Sequence, residues 1–356
     1  MIDPGFWRGK KIFLTGHTGF KGGWLSLLLK QLGAEVHGFA LPPDSSEGIF
    51  SAGGVAGDVR HVVGDIRDRA VLAKAVRETN PDLVFHLAAQ ALVRTSYDDP
   101  VATYATNVMG TVHLLEALRS ADNVRAVLVV TSDKCYENLN WPWGYRESDT
   151  LGGYDPYSNS KGCTELVVSA YRRSFFQQAD RAAIGSARAG NVIGGGDWSL
   201  DRLVPDAMRA FAAEQPLRIR NPDAVRPWQH VLDPLIGYLV LVERLASQGA
   251  HFADAWNFGP AAASELPVRA VVEGLRERWG GAAAWCHDDS GRHPHEAAYL
   301  KLDCSKAHLN LGWRPLISFD QALQLTVDWY RALRAGAYMR QVSIAQIGKV
   351  LEEAIS

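Results

Sequence analysis

The chain has 356 residues, 47% of them apolar and 21% charged, which suits one large or two modest globular units and excludes a disordered chain. Lysine and arginine number 37 against 39 acidic residues, a net charge of −2, and with no basic run the composition excludes nucleic acid as a partner. Four scattered cysteines without a C-x-x-C pair (Cys135, Cys163, Cys286, Cys304) and no apolar stretch of roughly 20 residues point to a cytoplasmic protein with no membrane partner.

The N-terminus shows no signal-peptide pattern, since Arg8, Lys10 and Lys11 lead straight into the first strand signal, "KKIFLTG". "WLSLLLKQLG" follows as a helix closed by Gly33. "EVHGFA" and "RHVVGDI" read as strands and "DRAVLAKAVRET" as a helix. "DLVFHLAA" and "RAVLVVTSD" are nearly continuous apolar runs, expected of central strands buried on both faces, with a long helix over residues 101–119 between them. "YSNSKGCTELVVSAYRRSFF" continues as a helix and "AIGSARAGNVIG" as one further strand. This alternation predicts an α/β fold, a doubly wound parallel sheet of the Rossmann kind over residues 1–190. Beyond Gly194 glycine, proline and tryptophan fall at loop-like positions, with a helix near residues 203–213 and a short strand in "WNFGP". A second, smaller mixed α/β substrate lobe is expected over residues 191–356, interleaved with returns to the first lobe near 228–258.

"LTGHTGFKGGW" places Gly16, Gly19 and Gly22 at the first strand-to-helix turn, where glycine lets a pyrophosphate approach the backbone and the helix N-terminus. The spacing is G-x-x-G-x-x-G, and a plain glycine turn is the bland alternative. No acid stands in "GFALPP" to hold ribose hydroxyls, and no lysine or arginine lies between Lys30 and Arg60 to grip a 2′-phosphate. NAD is therefore expected rather than NADP. Asp65, ending the third strand, suits either the adenine amino group or the N-cap of the next helix.

Tyr157 and Lys161 stand four apart, which puts both on one helix face. A lysine ammonium there, with an oxidised nicotinamide, favours tyrosinate, which takes a hydroxyl proton while hydride leaves the same carbon. An exposed surface pair is the plainer explanation. Asp133 and Lys134 sit side by side where the "RAVLVVTSD" strand surfaces, the end at which open α/β sheets keep their chemistry. "HDDSGRHPHEAAY" gathers His287, Asp288, Asp289, His293, His295 and Glu296, but the spacing fits no helical ligand pair and no metal is expected.

The blocks "HTGFKGGWLSL", "FHLAAQALVR", "VTSDKCYENLNWPWGYRE", "GGYDPYSNSKG", "RAGNVIGGGDW", "IRNPDAVRPWQHV" and "HPHEAAYLKLDCSKA" resemble the extended short-chain dehydrogenase/reductases. Within that superfamily they are similar to the nucleotide-sugar branch, and there to the CDP-D-glucose 4,6-dehydratases, from residue 10 to about 315. The resemblance implies a redox-neutral lyase that turns CDP-D-glucose into CDP-4-keto-6-deoxy-D-glucose, on a route to dideoxy sugars of the O-antigen kind. NAD stays bound and is regenerated at each turnover. Tyr157, assisted by Ser132 and Lys161, deprotonates the 4-hydroxyl; Asp133 matches the elimination acid. Lys134 replaces the glutamate base of the similar dTDP-glucose dehydratases. Lys134 either shares one proton with Asp133 in a coupled titration or stays charged and steadies the enolate.

The same resemblance assigns Gly16, His17, Gly19, Phe20, Gly22, Asp65, Ile66, Leu87, Ala88 and Ala89, with Tyr157 and Lys161, to the cofactor. It gives Gln90, Asn191 and Arg226 to the nucleotide sugar, Asn191 and Arg226 holding its diphosphate; a domain-interface salt bridge is the plainer use of Arg226. It implies a homodimer or higher homo-oligomer through the helices over 101–119 and 157–176. The alternatives are another nucleotide-sugar dehydratase or a 4-epimerase, which has no use for the Asp133–Lys134 pair, and an NAD-binding scaffold without chemistry.

Overall fold

The computed structural model describes residues 1–178, 180–288 and 297–355. Its main sheet has seven strands: β1 (Lys11–Thr15), β2 (Glu35–Ala40), β3 (Val59–Val63), β4 (Leu83–His86), β5 (Ala126–Val130), β6 (Ala183–Ala189) and β10 (Ala255–Phe258). All are parallel, in the order β3-β2-β1-β4-β5-β6-β10. The order reverses between β1 and β4, so a crevice opens at their carboxyl ends, where doubly wound sheets take their ligands.

Alternation of side chains explains why both faces must be covered. Ile12, Leu14, Phe85 and Leu128 face one core, shared with the helices Phe20–Gln31 and Leu232–Gln248. Phe13, Val84, Val127 and Ile184 face the other, shared with the helices Arg69–Thr79, Gly110–Leu118 and Pro156–Phe175. Every residue of β4 and β5 is buried, as the continuous apolar runs predict.

Two departures from the sequence reading matter for the site. The helix expected over 101–119 carries a π-helical turn, Ala105–Met109, between the α-helical pieces Pro100–Tyr104 and Gly110–Leu118. Such turns insert an extra residue and re-aim side chains. The single strand expected in "AIGSARAGNVIG" is two strands: β6 ends at Ala189, and after Gly190 the chain enters β7 (Asn191–Ile193) in a different sheet. A Cβ at Gly190 would lie 2.6 Å from Pro227 Cγ, so only glycine permits this crossing.

β7 pairs with β9 (Val225–His230), which pairs with β11 (Glu265–Pro267); β8 (Leu217–Ile219) pairs with β12 (Trp285–His287). These small sheets and the helix Leu203–Ala212 stand over the carboxyl end of the main sheet. The chain returns to the main sheet and its helices twice. The helix Leu232–Gln248 packs on β5 and β6, and the last helix, Met339–Ile355, packs on Phe20–Gln31 with the N-terminal amine on the Ala354 carbonyl, 2.7 Å. Among the described residues no helix is long and apolar enough to cross a membrane.

Candidate active site

The cofactor crevice is built by close approach. Gly16 has φ +77°, and a Cβ there would lie 2.6 Å from the Ala88 nitrogen, because β1 and β4 run side by side. The Leu87 N–H donates to the Thr15 carbonyl (3.1 Å) and the Ala88 N–H to the Thr15 hydroxyl (3.2 Å), which locks Leu87–Ala89 beside the glycine loop. A Cβ at Gly22 would come within 2.1 Å of the Gly16 oxygen, so the first helical turn sits directly on the loop. At Gly19 a Cβ meets nothing nearer than the Gly16 oxygen at 3.5 Å, and no side chain caps the helix that starts at Phe20. An open glycine before uncapped helix amides is a cradle for a diphosphate, so these residues fit a dinucleotide. Phe20 closes one side against Gly194.

His17 is buried under the loop, with Nε2 2.6 Å from His61 Nδ1, and burial with His61 nearby lowers it to about 4. Asp65 is held by Arg67, which donates through its backbone N–H (2.8 Å) and through Nη2 (2.6 Å). The N-cap of the helix Arg69–Thr79 is Asp68, accepting from Ala70 and Val71, so the capping alternative for Asp65 does not hold. Ile66 is buried against Gly110.

At the carboxyl end of β5 the chain leaves the sheet through Thr131 and Ser132 into one 3₁₀ turn, Asp133–Cys135. Ser132 caps that turn, its Oγ accepting from the Lys134 N–H at 3.2 Å. The same hydroxyl donates to Asp133 Oδ1 at 2.9 Å, while Asp133 Oδ2 is buried without a partner among the described residues. Burial pushes Asp133 above the ordinary carboxylate range, against the pull of Lys134, the Ser132 hydroxyl, Arg226 and Lys21. A carboxyl raised by burial, with one oxygen unpaired among the described residues, is suited to donate a proton.

Tyr157 and Lys161 lie on the helix Pro156–Phe175, whose start is fixed by Asp155 accepting from the Ser158 N–H (2.9 Å) with Pro156 at the first position. Both are buried. Their interplay differs from the expectation of a lysine lowering its neighbour: Lys161 Nζ turns to the Val130 carbonyl at 3.3 Å, and burial raises Tyr157 to about 12. The Ser132 hydroxyl and Arg202 oppose that rise. Burial also lowers Lys161 to about 8.

A cavity of about 280 Å³ joins Ser132, Asp133, Lys134 and Tyr157 to Asn191 and Arg226 of the second lobe. Arg226 is buried, its guanidinium held by the Val225 carbonyl at 2.9 Å and the Ala297 carbonyl at 2.6 Å. Gln90 does not line this cavity. Its amide donates to Leu92 and Thr103 (both 3.0 Å) and accepts from the Leu92 N–H at 2.6 Å, so it shapes the loop after β4. Asn107, on the π turn, receives the Gln90 N–H at 2.8 Å and donates to Ser160 Oγ at 2.8 Å, tying loop and catalytic helix together.

Sequence reasoning missed four cations that line the cavity: Lys21, Arg202, Arg218 and Arg220. Lys21 Nζ stands 6.0 Å from the Tyr238 ring centroid, and burial, then Arg202, lowers it to about 7. A charged side chain inside a glycine loop was the available signal. Of the histidine-rich segment, His287 approaches the Arg220 carbonyl at 3.1 Å, whereas Asp289, His293, His295 and Glu296 lie outside the described residues.

The glycine cradle, the Ser132–Tyr157–Lys161 set and the topology define an extended short-chain dehydrogenase/reductase of the nucleotide-sugar branch. The family described as GDP-mannose 4,6 dehydratase matches residues 13–326, and the chain belongs to it. It is 51% identical over 343 residues to the CDP-glucose 4,6-dehydratase of Salmonella typhimurium, covering 95% of each chain. It is 26% identical to a dTDP-glucose 4,6-dehydratase of Xanthomonas campestris, over 89% of this chain and 92% of that one. Among solved structures it is similar to the dTDP-glucose 4,6-dehydratase of Streptomyces venezuelae with NAD and TYD bound, with a TM-score of 0.76 and 27% identity, covering 92% of this chain and 98% of that one.

Proposed function

We propose that the protein is a lyase that converts CDP-D-glucose to CDP-4-keto-6-deoxy-D-glucose with tightly held NAD. The observation that carries this reading is the full-length 51% identity to a CDP-glucose 4,6-dehydratase, in a chain that places Asp133 and Lys134 in one cavity with Tyr157. NAD, held by the Gly16–Gly22 cradle, supplies hydride acceptance at carbon 4 and return at carbon 6, and its oxidised form favours a phenolate at Tyr157.

The chain's own residues supply the rest. Tyr157 Oη takes the proton of the 4-hydroxyl. Lys161, buried beneath it, contributes positive charge without a direct bond. The ketone at carbon 4 acidifies carbon 5, whose proton passes to Lys134. Asp133 gives its proton to the departing 6-hydroxyl, which leaves as water, and Lys134 later returns a proton to carbon 5. Lys134 acts as the base in its neutral form, so Asp133 and Lys134 titrate as one coupled pair. Arg226 and Asn191 hold the diphosphate end, with Arg202 and Arg220 adding positive charge to the cavity wall.

The assembly that fits is a homodimer through the helices that carry the exposed Val101, Met109, Leu166 and Phe175. Four unpaired cysteines support a reducing cytoplasmic setting. The test is direct: purified protein with CDP-D-glucose in deuterated water should give a product one water lighter with one deuterium at carbon 5. The same assay with dTDP- and GDP-sugars should give little product. Absence of the dehydrated product from CDP-D-glucose would overturn the reading.

A further inference from the structure

The chemistry proposed for this site leaves one proton on the wrong side of it after each turnover. Oxidation breaks the O4–H bond and forms Tyr157 Oη–H. Elimination breaks the C5–H bond, with the proton going to Lys134, and breaks the C6–O bond, with the Asp133 proton completing water. Reduction places hydride on carbon 6, and Lys134 returns its proton to carbon 5. Lys134 and the cofactor have then recovered their starting states. Tyr157 has gained a proton and Asp133 has lost one, yet the next turnover needs a phenolate and a carboxylic acid again.

We propose that Ser132 carries this proton back, its hydroxyl passing a proton to Asp133 Oδ1 while taking one from Tyr157 Oη. The inference rests on the dehydratase reading above. In this transfer the Ser132 Oγ–H bond breaks as Asp133 Oδ1–H forms, and Tyr157 Oη–H breaks as a new Ser132 Oγ–H forms. No oxidant, reductant or outside proton is needed. A half-turn of the carboxyl group then presents the proton to the sugar.

The geometry supplies each part. Ser132 Oγ already donates to Asp133 Oδ1 at 2.9 Å, the direction the return step requires. Tyr157 lines the same cavity as Ser132, and the Ser132 hydroxyl opposes the rise that burial imposes on Tyr157. It is anchored by the Lys134 N–H at 3.2 Å, which leaves its own hydrogen directed to the carboxylate. Ser132, Asp133 and Tyr157 are 7%, 2% and 8% exposed, so bulk water has little access to the two ends of the path. Asp133 Oδ2, without a partner among the described residues, is left for the leaving group. Ser132 thereby bonds one reacting group and shares a cavity with the other, and its role extends past orienting the 4-hydroxyl.

The experiment compares first and later turnovers by rapid quench in wild type, Ser132→Ala and Ser132→Thr, each loaded with NAD. Wild type must first form dehydrated product from CDP-D-glucose; if it does not, the dehydratase reading fails and the relay is withdrawn with it. Given that product, Ser132→Ala should show a burst of one product per site, with later turnovers at least tenfold slower than the first. Its later turnovers should accelerate as imidazole buffer is raised at fixed pH and ionic strength, while the first turnover does not respond. Ser132→Thr, which keeps a hydroxyl, should lose both the burst and the buffer dependence. Ser132→Cys, which keeps the volume with a weak hydrogen-bonding thiol, is the second variant should Ser132→Ala fold poorly, and it should behave as Ser132→Ala. A serine that only positions substrate would slow first and later turnovers by one common factor without buffer dependence, and that result would overturn the proposal.

Discussion

One helix, Pro156–Phe175, holds two clusters of buried polar groups four residues apart, and they are built on opposite principles. At Glu165 the carboxylate is closed, although Arg188 Nε beside it is buried without a partner among the described residues. One carboxylate oxygen takes the Thr131 hydroxyl, the other takes Ser186 at 2.7 Å and Arg188 at 2.9 Å, and Arg188 continues to Tyr136 at 2.8 Å and through it to Asn257 at 2.7 Å. Burial alone would raise Glu165, but Arg188 with the Thr131 and Ser186 hydroxyls together outweigh it and hold the carboxyl below its ordinary range. One turn and a little more toward the N-terminus the cluster is open. Asp133 Oδ2 and the Tyr238 hydroxyl are buried without partners among the described residues, and burial favours the neutral forms of Asp133, Lys161 and Lys21. Partners fix charge and position; their absence leaves protons free to move. The closed cluster is scaffold, and on the proposed function the open one is where substrate would complete the bonding.

That contrast predicts opposite responses to substitution. The largest stability effect belongs to the closed cluster. Glu165→Ala strands Arg188 as an uncompensated buried charge and should cost about 3–5 kcal/mol in denaturant unfolding. Asp133→Asn should leave unfolding free energy unchanged or slightly raised, since it relieves the burial cost of a carboxylate with one oxygen unpaired, while turnover falls about 10²–10⁴-fold. A stability loss at Asp133 as large as that at Glu165 would break the distinction.

Lys134→Met sharpens it within the open cluster. With Lys134 as the base, solvent exchange at carbon 5 should fall about as far as product formation does in Tyr157→Phe. If Lys134 remains charged and only steadies the enolate, exchange should be much better preserved, as followed by mass spectrometry in deuterated water.

Three buried imidazoles give a smaller effect with a fixed sign. Burial lowers His17 to about 4, and His86 and His230 to about 3. The unfolded chain takes up protons below about 6.5 while these groups stay neutral in the native state, so stability is full above that pH and falls as pH drops toward 4. At pH 5 each should cost about 2 kcal/mol, measured as unfolding free energy at pH 7 against pH 5. Smallest is Asp65→Asn, which should weaken NAD binding by about 1 kcal/mol, roughly fivefold in Kd by titration. No change there would confine Asp65 to its pair with Arg67.

Much of the open cluster was legible in the sequence because its logic is local. Glycines at a strand-to-helix turn, two residues where a strand surfaces and a tyrosine four before a lysine each need only a short window. The closed cluster escaped notice although Glu165 stands next on the Tyr157–Lys161 stripe. Its partner Arg188 is on β6, and pairing across that distance has no periodic signature. Strand β7 was missed for a related reason: polar and apolar spacing runs unbroken through Gly190, while the change of sheet depends on Pro227 packing against that glycine. Gln90 carries the same lesson, because a conspicuous amide beside a strand end gives no sign that Leu92 and Thr103 already occupy it.

The crossing at Gly190 also bears on mechanical tolerance. Arg188, anchored in the closed cluster, and Asn191, lining the substrate cavity, are separated by two residues of chain and a wedge against Pro227. So short an arm leaves almost no play between the reference point and the groups set against it. On the proposed function, a sugar bound beside Asn191 would be gauged from the same buried ion pair that sits on the helix Pro156–Phe175.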